Sequence, residues 1–201
     1  MSLLCDIGNS FAHFYDGNRA WREPHTSLLN YKDKEVYYIN VSQKLQPTLS
    51  RFDRWIDLEP YLHINSDYQG LGADRKALIA AIEDGVVVDA GSAITVDIVR
   101  KKKHMGGFIY PGLKAMQRAY ENISPVLRGF DPIQLENLPQ TTSQALFYGT
   151  IKPLILAIRE LGGPLFVTGG DGAFLSTYLP GSIYDPVLIF KGMEKARDRI
   201  C

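Results

Sequence analysis

The sequence predicts an α/β fold composed of two related halves, residues 1–84 and 85–201. An apolar strand that ends in Asp-x-Gly, followed closely by a serine, occurs twice, at residues 3–10 and 86–92. Each copy is followed by two further strand-like runs, so each half is expected to begin with a three-strand meander. Helical periodicity between and after these strands makes the fold mixed rather than all-β.

The other elements follow from apolar periodicity and from the residues that interrupt it. In the first half, the pattern predicts strands at 11–15, 20–22 and 36–41 and helices at 45–55 and 74–84. In the second half, it predicts strands at 93–99, 104–110 and 165–167 and helices at 113–123, 143–161 and 193–200. Gly85 is expected to stop the helix at 74–84, and Pro153 to perturb the helix at 143–161.

Composition restricts the classes of function. The chain has 22 Lys and Arg residues and 22 Asp and Glu residues, so it has no net positive charge that would attract nucleic acid or an anionic membrane. The basic block at residues 100–103 is expected to be a solvated turn. Cys5 and Cys201 lack metal-ligand spacing, and no stretch is apolar enough to span a bilayer or resembles a leader. We therefore expect a cytoplasmic protein with reduced cysteines.

The two Asp-Gly hairpins are the first candidate functional feature. Glycine lets backbone N–H groups approach an anion closely, and a neighbouring hydroxyl or amide adds donors. The carboxylates of Asp6 and Asp89 would repel phosphate unless a hard cation such as Mg²⁺ lay between them. Capping of turns would explain either aspartate alone. Two matched motifs at strand ends favour a phosphate site.

A glycine pair, Gly169–Gly170, follows the predicted strand at 165–167. At a strand–helix junction it offers a flat backbone surface for the adenosine of a nucleotide, although a tight turn explains the pair equally well. The sequence has no Walker A motif, and Gly70–Leu71–Gly72 does not continue to a dinucleotide fingerprint, because Arg75 stands in the place of the last glycine.

Together these motifs resemble the two phosphate motifs and the adenosine motif of the actin, hexokinase and Hsp70 superfamily. Three further segments resemble type III pantothenate kinases within it: Gly-x-Asp-Arg at 72–75, Gly-Gly-x-Ile-x-Pro-Gly at 106–112, and Thr-x-x-Ala at 142–145 before Gly149. Each motif alone is weak. Their order and their extent, from residue 6 to residue 172, make the set specific.

The resemblance implies a fold, a reaction and cofactors. The fold would be two ribonuclease-H-like halves, 1–84 and 85–201, with the active site in the cleft between them. The reaction would be ATP-dependent phosphorylation of pantothenate, the first step of coenzyme A biosynthesis. The family requires Mg²⁺ together with a monovalent cation such as K⁺ or NH₄⁺, and it forms homodimers.

The resemblance also implies roles for particular residues. Asp89 would hold the monovalent cation, Asp6 would hold Mg²⁺ through water or phosphate, and Asp74 would accept a proton from the substrate. The residues expected to contact ATP are Asp6, Ile7, Gly8, Asn9, Ser10, Phe11, Ala12, His13, Ser92, Gly169 and Gly170. The residues expected to contact pantothenate are Tyr68, Gly72, Ala73, Asp74, Arg75 and Thr142.

Several of these residues also have plain structural interpretations. Asp74 opens a predicted helix, where backbone N–H groups and Arg75 favour an ionised carboxylate, but a helix cap has the same sequence. Tyr68 fits a core aromatic as well as a ligand contact, and Thr142 fits a cap of the following helix. The isolated histidines His25, His63 and His104 are expected at the surface or in the core.

Departures from the family pattern are conservative. Ser10 and Ser92 stand where the family usually has threonine, so the hydroxyls remain. Asp67 precedes Tyr68 where a proline is common. Two other functions stay open on the sequence: a sugar or acetate-type kinase of the same superfamily, and a non-catalytic accessory protein of gene regulation. The presence of Asp6, Asp74 and Asp89 favours the kinase.

Overall fold

The computed structural model describes residues 2–200 of the chain, and its strands form two sheets. The strands of the first sheet are β1 (Leu3–Ile7), β2 (Ala12–Tyr15), β3 (Ala20–Glu23), β4 (Val36–Asn40) and β5 (Trp55–Asp57). The strands of the second sheet are β6 (Asn65–Ser66), β7 (Gly85–Ala90), β8 (Ala93–Arg100), β9 (Lys103–Pro111), β10 (Leu165–Thr168) and β11 (Ile183–Tyr184).

The two sheets have the same internal order. The first sheet runs β3-β2-β1-β4-β5, with β1 antiparallel to β2 and parallel to β4. The second runs β11-β10-β7-β8-β9-β6, so its meander β7–β8–β9 and the parallel strands β10 and β11 repeat the first arrangement. β6 is an additional edge strand. The predicted α/β fold with a repeated strand meander is confirmed.

Six α-helices, within the described residues 2–200, accompany the sheets, and none of them is long and apolar enough to cross a bilayer. The helix predicted at 113–123 is confirmed to the residue, and the long helix near 143–161 is confirmed with Pro153 inside it. The helices are α1 (Gln46–Leu49), α2 (Ala73–Ala81), α3 (Leu113–Ile123), α4 (Thr142–Glu160), α5 (Gly172–Ser176) and α6 (Leu188–Arg197).

Helices α2 and α6 pack closely against each other. Gly192 of α6 lies against the backbone of Ala77, so that a Cβ atom at position 192 would overlap the Ala77 carbonyl oxygen. The Lys195 ammonium donates hydrogen bonds to the carbonyl oxygens of Ala80 (2.8 Å) and Ala81 (3.0 Å). A cation at the C-terminus of α2 also interacts favourably with the helix dipole.

Each sheet has its own apolar core. In the first sheet, Phe14 is fully buried and stacks with Trp21 and Tyr31 at centroid distances of 5.6 and 4.4 Å. In the second, Phe147 and Ile151 of α4 are buried against strands β7, β8 and β10. Burial on this scale stabilises the fold by roughly 1.5–3 kcal/mol for each large side chain.

The chain divides into two compact units. One comprises Met1–Asp84, Val99–Gly106 and Val187–Cys201, and the other comprises Gly85–Ile98 and Gly107–Pro186. The first unit therefore includes the outer part of the β8–β9 hairpin and helix α6, which come from the second half of the sequence. The assignment of 1–84 and 85–201 as two ribonuclease-H-like halves stays a prediction.

Three element boundaries differ from those predicted. The helix expected at 45–55 is only α1, because Trp55 instead starts β5, pairs with Val36 and packs against Tyr38 and Phe52. The helix expected at 74–84 ends at Ala81, and Gly85, with φ of 138°, begins β7 instead of stopping a helix. The closing helix begins at Leu188, five residues before the expected position.

The basic block forms the tip of the β8–β9 hairpin, as predicted. Lys101 and Lys102 both have positive φ, 50° and 64°, the conformation that a two-residue hairpin turn requires. The N–H group of Lys101 donates to the Asp84 carboxylate (3.0 Å), and that of Lys102 donates to the Glu83 carbonyl oxygen (2.7 Å). These bonds hold the tip in a conformation that is uncommon for lysine.

Candidate active site

Asp6 lies near the end of β1, in the first Asp-Gly hairpin, opposite His13 in the β1–β2 register. The residue is only 8 % exposed, and its Oδ1 atom is buried without a hydrogen-bond partner. Its Oδ2 atom lies 3.6 Å from His13 Nδ1. A buried carboxylate oxygen without a donor is costly, and a bound cation would satisfy it. The geometry of Asp6 therefore fits a Mg²⁺ site.

The loop that follows Asp6 is a tight turn with exposed polar residues. The Gly8 N–H group donates to the Phe11 carbonyl oxygen (3.1 Å), and His25 Nε2 lies 3.0 Å from the Gly8 carbonyl oxygen. Asn9 and Ser10 are exposed at the tip. The hydroxyl and amide expected to contact phosphate are therefore accessible, whereas Ile7 and Ala12 are buried in the core beneath them.

Asp89 occupies the corresponding position in the second hairpin, near the end of β7. It is opposite Thr168 in the parallel β7–β10 register, so the glycine pair that follows β10 lies beside it. Gly169 has φ of 89°, and a Cβ atom there would overlap the Asp89 Oδ1 atom. The Asp171 N–H group donates to the Ala90 carbonyl oxygen (2.9 Å). Two of the predicted ATP motifs are thus in direct contact.

The end of β9 and the residue after it approach the same hairpin. The Gly112 N–H group donates to the Ser92 carbonyl oxygen (3.2 Å), and the Gly91 N–H group donates to the Ala93 carbonyl oxygen (3.0 Å). A Cβ atom on Gly112 would overlap the Gly91 carbonyl oxygen. Glycine at 112 is therefore required by the backbone of the hairpin, and Ser92 remains exposed.

Asp74 and Arg75 lie in the first turn of α2. The Asp74 Oδ1 atom accepts a hydrogen bond from the Arg75 N–H group (2.7 Å), so the carboxylate stabilises the helix start as a cap would. Gly72 must be small, because a Cβ atom there would lie 2.6 Å from the Asp74 Oδ1 atom. Arg75 is only 5 % exposed, and its guanidinium carbon lies 4.8 Å from the centroid of the Tyr68 ring.

Tyr68 is 41 % exposed, so its interpretation as a core aromatic is wrong. Its N–H group donates to Ser66 Oγ (3.1 Å), which lies 2.7 Å from Nδ1 of the buried His104. Sequence reasoning placed His104 in the core or at the surface without a function and did not consider Ser66. The two residues meet only through the β6–β9 pairing, and no local sequence signal indicates that pairing.

A pocket of about 620 Å³ adjoins this loop, within the first compact unit. Tyr68, Gly70 and Leu71 line it, as do Lys76 and Glu59, which form an ion pair (2.7 Å). A pocket of this volume accommodates a small organic molecule. Of the predicted substrate residues, Tyr68 lines this space, whereas Gly72, Ala73, Asp74 and Arg75 are not among its lining residues.

Thr142 is the first residue of α4 and is exposed, but it does not cap the helix. The cap is Thr141, whose hydroxyl oxygen accepts a hydrogen bond from the Gln144 N–H group (3.2 Å). The interpretation of Thr142 as the helix cap is therefore wrong, and capping does not explain why a threonine occupies this position.

The metal and thiol chemistry of the described residues is limited. Within residues 2–200, no group of three or more His, Cys, Asp or Glu side chains is placed to hold a metal ion. Mg²⁺ is usually held by one or two carboxylates and by substrate phosphates, so single aspartates such as Asp6 suffice. Burial raises the pKa of the Cys5 thiol well above its usual value, which makes it a poor nucleophile. Cys201 lies outside the described residues.

The fold is that of the actin-like ATPases. An ethanolamine utilization protein, EutJ, from Carboxydothermus hydrogenoformans superposes with a TM-score of 0.50 at 12% identity, over 97% of this chain and 89% of the other. The ParM protein of pSK41 superposes with the same TM-score and identity over 99% and 97%. At this identity the likeness concerns the fold alone.

Sequence relatives define the family more narrowly. A family model described as type III pantothenate kinase matches residues 54–162. A protein named type III pantothenate kinase from Helicobacter hepaticus is 42% identical over 203 residues, which cover 98% of this chain and 98% of the relative. A protein of the same name from Campylobacter jejuni is 46% identical over 198 residues, which cover 96% of this chain and 95% of the relative. The chain belongs to the type III pantothenate kinase family.

A solved structure from Campylobacter jejuni is also very similar. It superposes with a TM-score of 0.92 at 45% identity and covers 98% of both chains. That protein is described as belonging to a Baf family of transcriptional activators.

Proposed function

We propose that this chain transfers the γ-phosphoryl group of ATP to the primary hydroxyl of pantothenate, which gives 4′-phosphopantothenate in the first step of coenzyme A biosynthesis. The observation that carries the proposal is the setting of Asp74. Its carboxylate lies at the start of α2, next to a buried Arg75 whose guanidinium contacts the ring of the exposed Tyr68, in a chain related over nearly its whole length to type III pantothenate kinases.

The two hairpins would bind the phosphates of ATP. The loop within residues 6–13, with the exposed hydroxyls of Ser10 and Ser92, would supply donors, and the surface at Gly169–Gly170 would receive the adenosine. Asp6 would hold Mg²⁺ and Asp89 a monovalent cation. When bound, these ions neutralise the charge that develops on the transferred phosphoryl group.

Asp74 would accept the proton of the attacking hydroxyl, and the residues around it would orient pantothenate. An aspartate in the first turn of a helix is favoured in its ionised form by the helix dipole, and only that form can accept the proton. Gly72 and Ala73 bring the backbone close to the substrate, while Tyr68, Arg75 and Thr142 provide polar contacts. Arg75 is suited to the pantothenate carboxylate.

The direct test is an ATP-dependent phosphorylation assay on the purified chain. Pantothenate, a panel of sugars and acetate are offered separately with Mg²⁺ and K⁺ present, and ADP release is followed together with mass detection of the product. We expect turnover with pantothenate alone. Turnover with a sugar or with acetate instead would assign a different kinase of the same superfamily.

The cation sites have a separate test. Replacing Na⁺ with K⁺ or NH₄⁺ at constant ionic strength should raise the rate steeply, and chelation of Mg²⁺ should abolish turnover. Equal rates in Na⁺ and K⁺ would remove the assignment of Asp89. The variant Asp89→Asn should then lose most of the K⁺ dependence while the chain still folds.

We also propose that the protein is a cytoplasmic homodimer. None of the residues of α3 is buried, although the helix carries an apolar stripe that includes Met116 and Ile123, and Ile123 is 72 % exposed. An apolar stripe whose residues are at most partly buried suits an interface with a second copy. Sedimentation at assay concentration should give the mass of two chains, and an active monomer would contradict the proposal.

A second candidate function is a regulatory one, because the protein with a TM-score of 0.92 is described as a Baf family transcriptional activator. A regulator without catalytic activity would bind ATP or pantothenate without releasing ADP. The assay above, combined with calorimetric binding of both ligands, separates the two functions.

A further inference from the structure

A hydrogen-bonded pair, the partly buried Ser66 and the buried His104, supports the loop that carries Tyr68. We propose that Ser66 and His104 are positioning residues that hold Tyr68 in place for the acceptor substrate. The proposal rests on the proposed function, because it treats Tyr68 as part of the pantothenate site.

The Ser66 hydroxyl takes part in both hydrogen bonds. Its oxygen accepts from the Tyr68 N–H group (3.1 Å) and lies 2.7 Å from His104 Nδ1. A hydroxyl oxygen has two lone pairs and one proton, so it can accept from Tyr68 while it either donates to Nδ1 or accepts from it, depending on the histidine tautomer. The backbone of Tyr68 is thereby connected to the His104 side chain through a single atom.

His104 is a buried support for this connection. It is 2 % exposed and lies in β9, where it is opposite Ser66 in the parallel β6–β9 register. Its ring also contacts the Tyr68 ring, at a centroid distance of 5.8 Å and an interplanar angle of 52°. The guanidinium of Arg75, itself buried, lies 4.8 Å from the centroid of the same tyrosine ring.

These contacts matter because little else holds Tyr68. Its side chain is substantially exposed, and β6, the strand that precedes it, has only two residues. A substrate that used a mobile tyrosine would have to order it on binding, at a cost in affinity. The Ser66–His104 pair lowers that cost because it holds the backbone of Tyr68 in place before the substrate binds. Its loss should therefore weaken pantothenate binding and leave the chemical step unchanged.

The test compares steady-state constants of full-length variants. Ser66→Ala removes both hydrogen bonds, and His104→Phe retains a ring but removes the nitrogen at the Nδ1 position. His104→Asn restores a polar atom near that position. Asp67→Asn is the matched control, because it breaks the exposed ion pair with Lys103 (3.0 Å) in the same loop but leaves the Ser66 hydroxyl in place.

We expect Ser66→Ala, which loses both hydrogen bonds, and His104→Phe, which loses one, each to raise the KM for pantothenate about five- to tenfold, within the range that hydrogen-bond loss produces. The kcat and the KM for ATP should stay within about twofold of wild type, the signature of lost ground-state binding. His104→Asn should recover part of the pantothenate KM, and Asp67→Asn should match wild type.

Each other result overturns the inference. An unchanged pantothenate KM in folded Ser66→Ala and His104→Phe would show that Tyr68 needs no such support. A parallel loss in kcat and in the KM for ATP would indicate a general structural role. Wild-type protein that phosphorylates no pantothenate would overturn the proposed function as well, whereas active wild type with unaffected variants overturns the inference alone. Melting curves establish folding, and His104→Asn provides the comparison if His104→Phe unfolds.

Discussion

Replacing Asp74 with Asn separates the catalytic role of this residue from its structural one. The asparagine keeps the side-chain oxygen that accepts the Arg75 N–H group at 2.7 Å but can no longer accept a proton from the substrate. If Asp74 is the general base, kcat should fall ~10²–10⁴-fold while nucleotide affinity remains near wild type. The measurement is ADP release in a coupled assay, with ATP binding followed by calorimetry.

The effect on stability follows from the same contact. Loss of the negative charge in the first turn of α2 costs ~0.3–1 kcal/mol, since only the interaction with the helix dipole is removed. For a protein of this size, that corresponds to a decrease of at most about 4 °C in Tm. Asp74→Ala, which also removes the acceptor, should lose about 1 kcal/mol more and the same factor in kcat.

The two variants together give a clear refutation. Near-wild-type kcat in folded Asp74→Asn would end the general-base assignment, even if the chain phosphorylates pantothenate. A kcat that falls in Asp74→Ala but not in Asp74→Asn would assign the residue to the helix start alone.

Two further predictions concern stability. Gly192→Ala places a methyl group against the Ala77 carbonyl and should lower the free energy of unfolding, measured in urea, by about 1–3 kcal/mol. The control Gly149→Ala lies in a helix where a Cβ atom would meet no other atom within 4 Å, so it should raise the free energy of unfolding by about 0.5–1 kcal/mol. Equal effects of the two variants would contradict the close α2–α6 packing. Burial raises the pKa of Asp57, so the folded state binds this proton more tightly than the unfolded state does. The free energy of unfolding should therefore decrease as pH rises from the ordinary aspartate pKa through the raised pKa of Asp57. Asp57→Asn should weaken this pH dependence, and a pH dependence in urea titrations equal to that of the wild type would refute the prediction.

The sequence predicted those elements whose signal is local. Helix α3 carries its apolar stripe and its preceding Pro-Gly within a dozen residues, and strands β1 and β7 each end at an Asp-Gly turn. The helix expected at 45–55 was wrong because a helical stripe and a short strand compete there. The strand is stabilised by its partner strand, because Trp55 pairs with Val36 and contacts Tyr38. Both partners lie outside residues 45–55, so the local sequence does not indicate the pairing.

The same distinction applies to the site. The aspartates and glycines of the hairpins could be identified from residue type and spacing, because the close approach of backbone to phosphate demands those residues. The contact between Ser66 and His104 could not, because it joins residues 38 positions apart through a two-residue edge strand. Such a pairing depends on where the chain returns after α2, β7 and β8, and a single sequence does not specify that path.

The lysine turn at the tip of the β8–β9 hairpin has a practical consequence for engineering the protein. Hairpin tips are ordinarily good sites for an inserted peptide or a fluorescent label, because their backbone is free. Here both tip N–H groups donate to residues 83 and 84, so an insertion at 101–102 would break those bonds. The β2–β3 turn is the better place for a label, since its side-chain hydrogen bonds, such as that from the Asn18 N–H group to Asp16 (3.0 Å), stay within the turn.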